Sequence, residues 1–384
     1  MDPYTGGRRV RRVPSNQNAT KLQKRQMWRN LFHAEPYSME RRPSFSLWLR
    51  VTWLDILTMI ILGAIALGVY NLRPPGHRMF PLTLIDPRTG QDTGIVVYPQ
   101  FAYPYRPQII PSWLDSILAI LIPLFVFSLI QIRIRNFWDF NNVIIGFIYA
   151  LLTSAAFQVM IKWLIGGLRP HFYDVCRPDP SVVRGVGYRQ YMYTSEVCTS
   201  GQGRPLWDAM QSFPSGHSTT TSAAGVYLFL YLNAKLKVFA NYHPSMWKLI
   251  LLYSPILGVA LVLGSLTIDA SHNWYDILAG SIIGTVFAFS AYRMVYASIW
   301  NWRTNHIPLN RGSAFVRGQD YERSDLVCTN RAGWKGDGTK TEQDTLPGPV
   351  TRNESVNSHS SVCTRRDTDG AAIRSSRDRV DEMV

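Results

Sequence analysis

Six stretches of this chain, each 16 to 21 residues long, contain no Asp, Glu, Lys or Arg, and nothing else in the sequence restricts the fold as strongly. They run over 56–72, 116–132, 141–161, 218–234, 249–268 and 277–292. A bilayer core is crossed by about 20 apolar residues in a helix. Within it every backbone polar group must be bonded inside the segment, which a helix achieves alone. Trp53, Trp113, Trp274, Trp300 and Trp302 flank these runs as an interfacial aromatic belt would. The expected class is therefore all-α, a polytopic membrane protein with six transmembrane helices; the alternative is that one or two of the shorter runs are buried helices that do not span. The mean hydropathy of −0.05 conceals this, because it averages an apolar middle with polar ends.

Charge divides the rest of the chain. Residues 1–50 carry 11 Lys/Arg against 3 Asp/Glu, whereas residues 301–384 carry 13 against 12 among many Ser, Thr, Asn and Gly. The tail has too little apolar surface to offset its ordering entropy. We expect a basic arm (1–50), a six-helix membrane domain (51–300) and a disordered tail (301–384). The arm runs straight into an apolar wall, which argues for orienting a membrane protein and against nucleic-acid binding. Residues 21–33 read either as a basic amphipathic helix lying on anionic lipid or as a solvated arm. The first apolar run begins some 50 residues in, as an uncleaved anchor would rather than a signal peptide.

Arg133, Arg135, Lys235, Lys237, Lys248, Arg293 and Arg303 all fall on the side of the two termini, which makes that side cytosolic. Loops 73–115, 162–217 and 269–276 then face the lumen or the exterior, although Arg73, Arg78, Arg88 and Arg106 weaken the bias. There Cys176 and Cys198 can pair under oxidising conditions, while Cys328 and Cys363 in the tail remain free thiols. The sequons at Asn18 and Asn353 lie on the cytosolic side and should stay unmodified.

Three pieces carry chemistry, all at helix ends on the non-cytosolic side. Lys162 and Arg169-Pro170 are seven apart, two turns of helix, so both cations can project into one space; alone they could be two snorkelling side chains. Pro214-Ser215-Gly216-His217 stands ahead of an apolar helix, where free backbone amides favour an anion and a His can protonate a leaving group. A capping turn is the plainer reading of that tetrapeptide. His272 and Asp276 are one helical turn apart, so the carboxylate can fix the imidazole tautomer and leave the other nitrogen as a nucleophile. Together these groups form a phosphoryl-transfer site that needs no metal.

In order and spacing the three pieces resemble the motifs of the type-2 phosphatidic acid phosphatase family, the lipid phosphate phosphatases, which are related to bacterial acid phosphatases and vanadium haloperoxidases. Those motifs are Lys, six residues, Arg-Pro; Pro-Ser-Gly-His; and Ser-Arg, five residues, His, three residues, Asp. Here they fall at Lys162/Arg169/Pro170, at Pro214–His217 and at Ser265/His272/Asp276, within residues 50–300. The resemblance implies a phosphatase acting on phosphatidate, lysophosphatidate or diacylglycerol pyrophosphate through a phosphohistidine, without Mg²⁺ or another cofactor. It implies His272 as nucleophile, Asp276 as its orienting group and His217 as the acid. Lys162, Arg169, Ser215 and Gly216 would hold the phosphate. One position departs: Leu266 stands where the family has Arg, and Arg177, Arg184, Arg189 or Arg204 could supply the cation instead. That departure motivates the alternative of a weakened or inactive member that binds phospholipid head groups or partner proteins. A transporter is disfavoured by the scarcity of ionisable residues inside the apolar runs. A haloperoxidase is disfavoured by the spans. Loop 73–115, rich in Pro, Tyr and Phe, is expected to cover the site.

Overall fold

The computed structural model of the chain describes residues 42–72, 78–86, 88–89, 92–179, 181, 185–201, 203–311, 315 and 324–329. The basic arm up to Arg41, the segment 21–33, both sequons, Cys363, Arg73, Arg184 and most of the tail lie outside the described residues.

Three long helices come first: α1 (Phe45–Asn71), α2 (Ser112–Ile134) and α3 (Phe137–Ile165). Two short ones follow, α4 (Phe172–Cys176) and α5 (Arg204–Ala209), and then α6 (Gly216–Leu236), α7 (Met246–Ile268) and α8 (Trp274–Val295). Local signals set their starts. Ser44 caps α1, Asn136 caps α3 by accepting from Asp139 N at 3.0 Å, and Asn273 and Asp276 form a reciprocal capping box on α8.

Five of the six long helices are long and apolar enough to cross a membrane: α1, α2, α3, α7 and α8. On α1 and α7 the large aliphatic residues point outward, with Leu67 at 65% and Leu261 at 66% exposure, as faces turned to lipid do. The fourth apolar run of the sequence becomes α6, which is too polar for that class. It lies inside the bundle, packed by α2, α3, α7 and α8, with Ser218, Thr219, Thr221 and Ser222 buried. A helix enclosed by protein can keep hydroxyls that a lipid-facing helix would have to hide.

At one end of the bundle the connections are long and tied together. Strand β1 (Phe80–Pro81) is followed by β2 (Thr83–Ile85) and β3 (Asp92–Val96), which pair with each other, and β1 pairs antiparallel with β4 (Met192–Tyr193). Loop 73–115 is thereby stitched to loop 162–217. Cys176 and Cys198 form the expected disulfide, with a Cα–Cα separation of 4.6 Å. Cys328 is a free thiol. At the opposite end Lys235 Nζ, fully buried, meets Asp139 Oδ1 at 2.6 Å.

Candidate active site

The two glycines of α8 decide how closely its start approaches α6. A Cβ on Gly280 would lie 2.6 Å from the Ser215 carbonyl oxygen, and one on Gly284 would lie 2.3 Å from the Thr219 carbonyl oxygen. Small residues four apart let two helix backbones touch. The contact brings the first turn of α6, with His217, beside the turn 269–273, with His272. The two imidazole rings stand 6.3 Å apart between centroids. Ser215 N bonds the Asp276 carbonyl at 3.1 Å, which locks the two helix starts together.

Lys162 arrives from the last turn of α3. Past it, Gly166 adopts φ 58° against the Met210 carbonyl, where a Cβ would sit at 2.8 Å, and this turns the chain toward Arg169. Arg169 is 6% exposed. Its Nη2 donates to Asp208 Oδ1 at 2.8 Å, its Nε to Asp208 O at 2.9 Å and its Nη1 to Ser271 O at 3.4 Å. His171 adds a bond from Nδ1 to Ala270 O at 3.1 Å, so loop 169–171 and turn 269–273 hold each other in place.

These groups line a cavity of about 290 Å³ that contains Lys162, Arg169, Gly216, His217 and His272. Its other walls are Tyr70–Leu72 at the end of α1, Ser112, Asp115 and Ser116 on α2, and Arg204, Trp207 and Asp208 on α5. Five of the seven residues singled out in the sequence thus share one space. Asp276 stands behind His272, fully buried. Ser215 is also fully buried; its hydroxyl caps α6 by accepting from Ser218 N at 3.4 Å and does not line the cavity.

The link between His272 and Asp276 is not direct. Nδ1 and Oδ2 are 3.8 Å apart, beyond a hydrogen bond, and Ser212 fills the gap. Its hydroxyl donates to Asp276 Oδ2 at 2.5 Å and lies 3.3 Å from His272 Nδ1. A hydroxyl has one proton. Spent on the carboxylate, it leaves Ser212 only as an acceptor toward His272, so Nδ1 carries the hydrogen and Nε2 keeps its lone pair. Asn273 donates to the same carboxylate oxygen from its backbone and side chain, at 3.0 and 3.1 Å. Burial holds the His272 imidazole well below its ordinary pKa, Asp276 opposes the shift, and the Arg169 and Lys162 charges add to it. The ring is therefore neutral, as a nucleophile must be. Across the cavity, His217 Nε2 is buried and has no hydrogen-bond partner among the described residues.

Ser212, Asn273 and Asp208 were not singled out in the sequence. Ser212 lies only three residues before Ser215, but nothing in the spacing shows that it returns to the His–Asp pair. Leu266 is fully buried, and its carbonyl accepts from the Ser271 and His272 amides at 3.3 and 3.4 Å. Its side chain does not line the cavity. Of the four arginines named as substitutes, Arg204 is the one found among the lining residues; Arg184 lies outside the described residues.

Residues 143–300 match the PAP2 superfamily. The chain is 31% identical to Lipid phosphate phosphatase 1 of Arabidopsis thaliana over 63% of its own length and 67% of that protein's. It is 30% identical to Phospholipid phosphatase 2 of Mus musculus, over 50% of this chain and 72% of the other. Diacylglycerol pyrophosphate phosphatase 1 of Saccharomyces cerevisiae is 32% identical over 41% of this chain and 52% of its own. No solved structure matches.

Proposed function

We propose that this chain, which belongs to the PAP2 superfamily in its lipid phosphate phosphatase branch, hydrolyses lipid phosphates within the membrane by transferring the phosphoryl group to His272. The observation that carries the reading is the bridged unit Asp276–Ser212–His272 facing His217 across a cavity that also holds Lys162 and Arg169. Lys162, Arg169 and the amides that open α6 at Gly216 draw the phosphate dianion in and stabilise the charge that spreads over its oxygens in transfer. His272 Nε2 attacks phosphorus while the bond to the lipid oxygen breaks. Arriving dianionic phosphate offsets the two cations and favours a proton on His217, which passes it to the leaving alcohol. Water then cleaves the phosphohistidine and releases inorganic phosphate. Ser215 supports the site by capping α6.

Phosphatidate, lysophosphatidate and diacylglycerol pyrophosphate fit this chemistry. The positive-inside rule puts both termini in the cytosol and the cavity on the luminal or extracellular face. The second reading, a family member that binds head groups without turning them over, is favoured by the missing cation at Leu266. One experiment separates the two. Full-length protein in detergent micelles is given phosphatidate with EDTA present, beside His272→Ala. The proposed function predicts sustained phosphate release by the parent and a loss of at least about a thousandfold in the variant. Head-group binding with no release from either protein would establish the second reading.

A further inference from the structure

Burial inside the cavity is graded. His272 and Arg169 at its floor are 3% and 6% exposed, whereas Arg204 on the first turn of α5 is exposed at the mouth. Arg204 and Asp208 are one turn apart, so they share a face of the helix. Asp208 reaches inward to Arg169, while the Arg204 guanidinium stands over the Tyr70 ring at 5.8 Å from its centroid. Tyr70, Asn71 and Leu72 end α1, a helix whose outward faces are apolar, so a lipid chain leaving the cavity along α1 would pass Tyr70 and Arg204. Arg204 has no carboxylate within ion-pair distance among the described residues.

We infer that Arg204 is a specificity-determining residue that holds the lipid-linked phosphate of a lipid diphosphate, so that the enzyme favours diphosphates over monophosphates. The inference rests on the phosphatase reading above. With its terminal phosphate at His272, a monoester presents only glycerol to the mouth of the cavity. A diphosphate presents a second anion there. His272 Nε2 forms a bond to the terminal phosphorus, the P–O bond to the inner phosphate breaks, and the inner phosphate leaves as a monoester with the electron pair. That anion is stable at neutral pH without a proton from His217, and Arg204 neutralises it as its charge grows. Solvent water then hydrolyses the phosphohistidine to inorganic phosphate and neutral imidazole. The family cation lost at Leu266 is thus not restored at the floor; positive charge stands at the leaving group instead.

The test measures kcat/KM of one purified preparation for diacylglycerol pyrophosphate and for phosphatidate in the same mixed micelles, for the parent, Arg204→Gln and Arg204→Lys. Removing a charge-assisted contact costs about ten to a hundredfold. Arg204→Gln should therefore lower the diphosphate value by about thirtyfold and the monophosphate value by about threefold, and Arg204→Lys should recover part of the difference. The ratio of the two substrates is unaffected by any misfolded fraction, since both are read on the same molecules. Equal losses for both substrates, or a loss confined to the monophosphate, would overturn the inference and leave the phosphatase reading standing. A parent that releases phosphate from neither substrate would overturn both.

Discussion

At the scale of single residues, the tautomer of His272 hangs on Ser212. Replacing Ser212 with Ala removes the one group among the described residues within hydrogen-bond reach of Nδ1 and takes one of three donors from Asp276 Oδ2. Asp276 keeps both Asn273 donors, so the fold should survive. We predict that Ser212→Ala lowers kcat by about ten to a hundredfold, the worth of a charge-assisted hydrogen bond, with KM nearly unchanged. Steady-state kinetics on phosphatidate reads this; a rise in KM at constant kcat would show that Ser212 serves binding. The lowered pKa of His272 also fixes a pH dependence. An unfolded imidazole takes up its proton near pH 6.5 and the folded one resists to lower pH, so the unfolded state binds more protons in between. Stability should therefore be undiminished above pH 6.5 and fall as the pH drops below it, read as a declining unfolding temperature between pH 7 and 5. That His217, His272 and Asp276 come together was legible because each stands in a short motif at a helix start, with His272 and Asp276 four residues apart. Ser212 was not, because its link to His272 spans 60 residues of chain.

At the scale of elements, the contact between α6 and α8 positions the cavity residues, and Gly284 is its tightest approach to backbone. An Ala Cβ there would lie 2.3 Å from the Thr219 carbonyl oxygen and 2.8 Å from the Ala223 amide nitrogen, both backbone atoms that cannot rotate away. The helices must separate. Overpacking of this kind typically costs about 1–3 kcal/mol, and the shift moves His217 relative to His272. Gly284→Ala should lower both the unfolding temperature and kcat. Gly264→Ala on α7, where the added methyl meets nothing within 4 Å, should lower neither. If the two variants behave alike, the close approach is not what sets the site. The apolar runs marked six long helices, although α1 begins eleven residues before its run, and they did not show that α6 differs from the others. A run free of charges can still be full of hydroxyls, and only the packing around α6 shows that Ser218, Thr219, Thr221 and Ser222 face protein. The spacing of Gly280 and Gly284 was visible in the chain; the helix they press against was not.

At the scale of the molecule, α6 connects two polar centres through an apolar bundle. Its first turn carries His217, and its last turn carries Lys235, one of the charges expected from the sequence to lie in a cytosolic connection. The structure buries that lysine completely, bonded to Asp139 Oδ1 at 2.6 Å, while Tyr231 and Tyr296 hydroxyls reach the same carboxylate at 3.1 and 3.0 Å. Removing one partner of a buried pair leaves an uncompensated charge and costs about 3–5 kcal/mol, whereas replacing both with apolar groups of similar volume is often neutral. Lys235→Met alone should therefore unfold at a much lower temperature than the parent, and Lys235→Met combined with Asp139→Leu should recover most of the loss. The 21 residues of α6 hold the cluster and the candidate active-site cavity about 30 Å apart. Phosphate release per folded molecule should then be the same in all three proteins. Thermal unfolding, with activity normalised to the folded fraction, checks both statements. A single variant that kept its stability but lost turnover would mean that the far cluster sets the state of the active site, and that α6 transmits it instead of merely spanning the bundle.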